Sequence, residues 1–212
     1  SFIGVFLRAT NSYVLYPPSL RKAQLNEFKG VFKGSEFHSL TINNSKLLGI
    51  YTASNKNGIL LPSILKDQEK KGLESFLDGN ARIGILDSKE NALGNLILCN
   101  DHGAVISHLL RKYKDKIEDT LGVETVIYEF ASSYLPGSVS LANNKGCLLS
   151  PLATDEEIAY VSEILNVEVD ISTINRGIQY LSSGAIINDT HGIFGVDSTG
   201  PEMMRLSSVL GI

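Results

Sequence analysis

Apolar residues in this chain are gathered into short runs, and the runs come in pairs separated by a polar knot of four or five residues. Gly94-Asn95-Leu96-Ile97-Leu98-Cys99 leads into Asn100-Asp101-His102-Gly103, and Ala104-Val105-Ile106 leads out. That pattern predicts two strands joined by a tight turn, with Asn and Gly supplying left-handed backbone angles. The same unit recurs as Ser54-Asn55-Lys56-Asn57-Gly58 before Ile59-Leu60-Leu61-Pro62, as Asn143-Asn144-Lys145-Gly146 before Cys147-Leu148-Leu149, and as Asn188-Asp189-Thr190-His191-Gly192 before Ile193-Phe194. A weaker copy is Asn11-Ser12-Tyr13 before Val14-Leu15-Tyr16, where Val14 stands in place of the later Gly58, Gly103, Gly146 and Gly192. The asparagines at 11, 55, 100, 143 and 188 give steps of 44, 45, 43 and 45 residues, which is a five-fold internal repeat.

Between the hairpins the apolar period lengthens from two to between three and four, which predicts amphipathic helices. Thr154-Asp155-Glu156-Glu157 reads as a capping box ahead of Ile158, Val161, Ile164 and Leu165. The corresponding stripes are Leu110, Tyr113, Ile117 and Leu121 in the third repeat, Leu73, Phe76 and Leu77 in the second, and Leu25 and Phe28 after Ser19 in the first. The fifth runs through Met203, Leu206, Val209 and Leu210 after Pro201. Residues suited to a left-handed helix stop stand at Gly34, Gly79, Gly122, Asn166 and Gly211, at steps of 45, 43, 44 and 45. A third apolar run follows four of these stops: Phe37 to Ile42, Arg82 to Leu86, Val123 to Phe130 and Val167 to Ile174.

Each repeat therefore reads strand, hairpin, strand, helix, strand, with bounds of about 1–44, 45–91, 92–137, 138–183 and 184–212. The fifth lacks its last strand, and residues ahead of Ser1 are expected to supply it. Units of this size bury their faces only against neighbours. The expectation is one α/β domain over residues 1–212, closed into a ring with helices outside and first strands at the centre, lined by Val5, Leu96, Leu98 and Ile186. Hairpin tips and helix stops share one face. The other face carries the links Asn43 to Leu47, Asp87 to Gly94, Ala131 to Ser138 and Asn175 to Gly184.

Composition narrows the function classes. The 212 residues are 43% hydrophobic, yet no apolar run reaches the roughly 18 residues of a membrane helix and the start has no signal-peptide pattern. No membrane association and a cytoplasmic location are the expectation. With 19 basic against 23 acidic residues the formal charge is −4, which disfavours a DNA-binding or broad RNA-gripping surface and favours protein partners. Cys99 and Cys147 fit neither a disulfide framework nor a CxxC site and read as small buried hydrophobes with free thiols. His102 and His191 at hairpin tips, and His38 and His108 elsewhere, bring no third ligand or triad partner, so no metal and no cofactor are expected. Asp101 and Asp189 read as turn residues, and Asp197 and Glu202 as acids favoured at a helix start. Arg111, Lys112, Lys114 and Lys116 read as a solvated helix face. Arg176, between Asn175 and Gly177 in a link, suits equally an internal salt bridge and a partner contact.

Three longer stretches carry a resemblance: Ala92-Leu93-Gly94-Asn95 with Cys99-Asn100-Asp101; Asn175-Arg176-Gly177 with Gly184 and Asn188-Asp189; and Gly195-Val196-Asp197-Ser198-Thr199. Together with Gly58 to Pro62 and Asp67-Gln68-Glu69, they resemble the translation initiation factor 6 family of archaea and eukaryotes across essentially the whole chain. Ending at Ile212 without a long serine-containing tail, the sequence resembles the archaeal form. The resemblance implies a pentein fold, a five-fold pseudosymmetric β/α propeller of five ββαβ repeats. It also implies a monomeric, non-enzymatic factor that binds the large ribosomal subunit, mainly through ribosomal protein with adjacent rRNA. Such a factor blocks small-subunit joining and takes part in large-subunit biogenesis. The alternative is a guanidine-modifying hydrolase or amidinotransferase of the same fold, with Cys99 or Cys147 as nucleophile. For the binding reading the link face is the expected contact surface, because its residues are small, apolar or amide-bearing and little charge must be desolvated. Those residues are Leu48, Gly49, Ile50, Leu93, Gly94, Asn95, Gly137, Ser138, Val139, Asn175, Arg176, Gly177, Ser183, Gly184 and Ala185.

Overall fold

Second strands of the hairpins explain the architecture. Gly58–Pro62, Gly103–Ile106 and Gly146–Leu149 are buried at every position, so both faces of each strand must be covered. A computed structural model, which describes residues 2–212, shows what covers them. Among the described residues there are five small sheets, four of three strands and one of two. In each three-stranded sheet the second strand is central, antiparallel to the first and parallel to the third. Unit one holds Arg8–Ala9, Tyr13–Tyr16 and Glu36–Ser39; unit two Ala53–Ser54, Gly58–Pro62 and Arg82–Leu86; unit three Ile97–Cys99, Gly103–Ile106 and Glu124–Ile127; unit four Ser140–Ala142, Gly146–Leu149 and Glu168–Ile171. Unit five holds Ala185–Ile187 and Gly192–Phe194 alone.

Among the described residues five hydrophobic cores lie between consecutive units rather than within them. Val105 points into a core with Val139, Cys147 and Leu149 of unit four, while Ala104 and Ile106 of the same strand point back toward Ala53 and Leu60 of unit two. The last core joins Ile186 and Ile193 of unit five to Leu7, Val14 and Phe32 of unit one, so the succession returns to its start. Since alternate residues of one strand serve two different cores, a one-residue slip would empty both.

The sheets are shorter than the apolar runs. Gly94 to Leu96 does not begin a strand: Leu93–Leu96 is a helical turn, and Ile3–Phe6, Leu48–Tyr51 and the 3₁₀ turn Leu181–Gly184 match it. The reason is close approach. A Cβ on Gly49 would lie 1.7 Å from the Gly4 carbonyl oxygen, one on Gly94 1.9 Å from that of Gly49, and one on Gly137 2.2 Å from that of Gly94. Only glycine lets these turns nest against one another. Ser182 holds the fifth position, and its hydroxyl donates to the Ser138 carbonyl at 3.3 Å.

The hairpins form where expected, for a different reason. Asn55, Asn100, Asn143 and Asn188 do not have positive φ, nor do Gly58, Gly103 or Gly146. Each asparagine works through its side chain, as in an Asx turn. Asn100 Oδ1 accepts from the backbone N–H groups of His102 and Gly103 at 2.9 and 3.0 Å. Its Nδ2 donates to the Asn143 carbonyl at 3.3 Å and to the Leu165 carbonyl, at the end of the next unit's helix, at 2.8 Å. Asn55 reaches Asn100 and Leu121 in the same way, and Asn143 reaches Asn188 and Leu210. One amide thus closes its own hairpin and caps the neighbouring helix, whose last carbonyls otherwise lack partners. The hairpin glycines serve the same junction: a Cβ at Gly103 would sit 2.0 Å from the Ile164 carbonyl oxygen.

Unit one is displaced by a residue from its expected register. Thr10, not Asn11, occupies the asparagine position, its Oγ1 accepting from Ser12 and Tyr13 at 3.3 and 3.1 Å. Tyr13 and His191, rather than Val14 and Gly192, correspond to Gly58, and the ladder becomes 10, 55, 100, 143 and 188.

Helices follow the predicted stripes with local differences. Thr154 and Thr199 head capping boxes with Glu157 and Glu202, and Pro201 lies in the first turn. The unit-one helix starts at Lys22 rather than Ser19 and ends at Val31, short of Gly34. Asp78, not Gly79, is the left-handed cap of Asp67–Leu77, whereas Gly122, Asn166 and Gly211 cap as expected. Met203 is exposed; Glu202, Leu206 and Leu210 form the buried stripe instead. No helix is long and apolar enough to cross a membrane among the described residues.

Candidate interaction surface

Two ends of the molecule gather residues from every unit. At one end the hairpin tips converge around a small cavity bordered by Asn11, Lys56, Asp101, Asn144 and Asp189, the second residues of the five hairpins. They form a continuous hydrogen-bonded chain. The backbone N–H of Lys56 donates to Asp101 Oδ1, that of Asp101 to Asn144 Oδ1, that of Asn144 to Asp189 Oδ1 and that of Asp189 to Asn11 Oδ1, all at 2.8 or 2.9 Å. Asn144 Nδ2 also donates to both Asp101 and Asp189. Burial alone would raise the Asp189 carboxyl; donation from the Asn144 backbone and from the Asn11 and Asn144 amides brings it below its usual value. These carboxylates are committed to structure, and covering them would desolvate ions that already have partners.

At the other end the helical turns and links converge. A shallow depression of about 270 Å³ is lined there by Phe2, Gly4, Gly49, Ile50, Asn95, Ser138, Tyr180, Ser182 and Ser183. A second, of about 390 Å³, is lined by Glu90, Ala92, Leu96, His108, Leu109, Tyr134 and Leu135. Phe2, Tyr134 and Tyr180 are 52%, 50% and 47% exposed and place aromatic surface at this end.

The fifteen predicted link-face residues divide by burial. Leu48, Leu93, Gly94, Gly137, Ser138, Val139, Asn175, Gly184 and Ala185 are buried and serve the nested turns and cores. Gly49, Ile50, Asn95 and Ser183 are partly accessible and line the first depression, and Arg176 and Gly177 are exposed. Asn43-Asn44, Ala131-Ser132 and Asn175-Arg176 are turn tips with positive φ at both residues. Each tip is held by an acid at the third position of the following helix. Glu202 accepts from the backbone N–H groups of Arg176 and Gly177 and from the Thr173 hydroxyl, Glu69 from those of Asn43 and Asn44, and Glu157 from that of Ala131. Arg176 therefore enters the scaffold by its backbone, and its guanidinium is in no ion pair among the described residues. Sequence reading missed Phe2, Tyr134 and Tyr180. The available signal was that Tyr134 and Tyr180 stand in links, outside either hydrophobic period.

Neither cysteine is activated as a nucleophile among the described residues. Cys99 borders the axial cavity, but burial pushes its thiol up to about 11, and burial pushes Cys147 up as well, so both stay protonated at neutral pH. Of the strand-one residues expected at the centre, Leu98 and Ile186 line the cavity, whereas Val5 and Leu96 do not. No group of three metal-ligating side chains is present among the described residues. Arg111, Lys112 and Lys116 are solvated, and Lys114 pairs with Glu118 at 3.1 Å.

The sequence profile of the eIF-6 family matches residues 1–209. Translation initiation factor 6 of Pyrobaculum aerophilum is 34% identical over 212 residues, covering all of this chain and 94% of its own length. That of Methanocaldococcus jannaschii is 37% identical over 214 residues, covering 99% of this chain and 93% of its own. Eukaryotic translation initiation factor 6 of Trypanosoma cruzi is 33% identical over 207 residues, covering 95% of this chain and 82% of its own.

Proposed function

Because the chain belongs to the eIF-6 family, we propose that it binds the large ribosomal subunit through its link face and sterically keeps the small subunit from joining, with a further part in large-subunit biogenesis. It is a translation factor and not an enzyme. The observation that carries the reading is full-length similarity to relatives of this name in archaea and a eukaryote. We further read the architecture as a pentein ring with five-fold pseudosymmetry. This is supported by the recurring sheet order, the matching steps of Gly4, Gly49, Gly94, Gly137 and Ser182, and cores that run from unit to unit back to the first.

Two features support the link face. It exposes Phe2, Tyr134 and Tyr180 beside small residues and amides, the mixture that forms the centre of protein interfaces, whereas the hairpin face presents ions already bonded. The net charge of −4 favours a ribosomal protein as the main contact, with rRNA adjacent. In this reading the factor is a cytoplasmic monomer without a cofactor, and it excludes the small subunit by occupying surface. The test is sedimentation of the purified protein with separated subunits. Saturable co-sedimentation with the large subunit alone is expected; pelleting with the small subunit alone, or with neither, would overturn the proposal.

A further inference from the structure

Arg8 sits in the axial cavity, about 90 Å³ in volume, that is walled by the first strands and helical turns of all five units. Its Nε donates to Thr52 Oγ1 at 3.4 Å and a terminal nitrogen donates to the Thr52 carbonyl, so at least three of its five N–H groups remain. No carboxylate pairs with it among the described residues. The groups whose charge would act on it are Cys99 and Tyr13, and both are neutral, since burial lifts the Tyr13 hydroxyl to about 12 and the Cys99 thiol to about 11. Beside Arg8 lie two hydroxyls, Tyr13 Oη and Ser54 Oγ, close enough to interact with one another and with no other hydrogen-bond partner among the described residues. Tyr13 is 5% exposed, and Ser54 borders the cavity.

A guanidinium held partly out of water without a counter-charge is unfavourable, and buried hydroxyls short of partners add to that cost. Every uncommitted group at this spot can donate. The volume exceeds several-fold the roughly 10–15 Å³ of probe space that one water needs, and the planar fork of arginine matches an oxyanion better than it matches a spherical ion.

We infer that the axial cavity is a binding site for one small inorganic oxyanion of the phosphate or sulfate class, held by the Arg8 guanidinium together with the hydroxyls of Tyr13 and Ser54. Arg8 belongs to unit one and Thr52 to unit two, so the same residue also bridges the junction where Thr10 offers no amide to the neighbouring helix. The experiment must separate these roles. Phosphate, sulfate and chloride are titrated into the full chain in gluconate buffer, with calorimetric binding and the thermal midpoint read in parallel.

The expected result is saturable binding of phosphate or sulfate at one per chain, with a midpoint that climbs with the logarithm of oxyanion concentration. Arg8→Met is to lose both responses whatever its starting stability. Tyr13→Phe and Ser54→Ala, which leave the Arg8 to Thr52 bridge intact, are to weaken binding several-fold and decide the matter should Arg8→Met fail to fold. The same midpoint response in the parent and in all the variants would be an ordinary salt effect and would overturn the site. Chloride matching phosphate at equal concentration would overturn the oxyanion assignment.

Discussion

Removing the amide of Asn100 breaks four hydrogen bonds, two inside its hairpin and two to unit four, in a residue only 5% exposed. Asn100→Ala is therefore expected to cost on the order of 3 kcal/mol in urea unfolding. Asn100→Asp keeps an acceptor for the turn but aims a carboxylate oxygen at the carbonyls of Asn143 and Leu165, and should lose a comparable amount. If Asn100→Asp were as stable as the parent, the bonds to unit four would carry no weight. Glu202 supplies the pH dependence. Burial alone would raise its carboxyl, but donation from the backbone of Thr199, Gly177 and Arg176 and from the Thr173 hydroxyl brings it down to about 2. A carboxyl lowered from 4.5 on folding stabilises fully above the unfolded value, and that contribution disappears as pH falls toward 2. Glu202→Gln should then cost about 3 kcal/mol at pH 7 and progressively less between pH 4.5 and pH 2. An unchanged pH profile in the variant would show that these donors do not favour the ionised form.

Element by element, what repeats in the sequence was legible, and what depends on a neighbour was not. The asparagine and helix-stop ladders located hairpins and helices because each repeat writes the same local rule. The function of the asparagine was misread as backbone conformation, since its second partner lies about 65 residues away, as from Asn100 to Leu165. Unit one was misaligned because a threonine hydroxyl does half of that work without looking like an asparagine. The helical turns went unseen because four residues leave no period to detect, and the glycines within them are required by a neighbouring carbonyl. The link end was legible as a face of the fold, but the accessibility of its residues was not: nine of the fifteen are buried, and the exposed Tyr134 and Tyr180 beside them lie in links. A pair of glycine substitutions tests the nesting. Gly94→Ala places a methyl 1.9 Å from the Gly49 carbonyl oxygen and should destabilise by about 2 to 3 kcal/mol, whereas Gly72→Ala, exposed within helix Asp67–Leu77 with open space around it, should stabilise by about 0.5 to 1. Equal effects at the two sites would mean that the turns are not held by close backbone approach.

At the scale of the whole molecule the two ends differ in what they can still bind. Hairpin tips spend their polar groups on one another, while the link end leaves Phe2, Ile50, Asn95, Tyr134 and Tyr180 facing outward or part-exposed over two shallow depressions. Large-subunit affinity should therefore fall by at least about 2 kcal/mol for Tyr180→Ala or Asn95→Arg, with the unfolding midpoint nearly unchanged, and should hold for Lys56→Gln at the opposite end. The most direct measurement of the central claim is a gradient profile of purified large and small subunits mixed at joining conditions with rising amounts of the protein. Joined ribosomes should give way to free subunits in proportion to large-subunit occupancy, with Asn95→Arg requiring far more protein than the parent and Lys56→Gln no more. Joined ribosomes that persist while the large subunit is saturated with the protein would contradict the account.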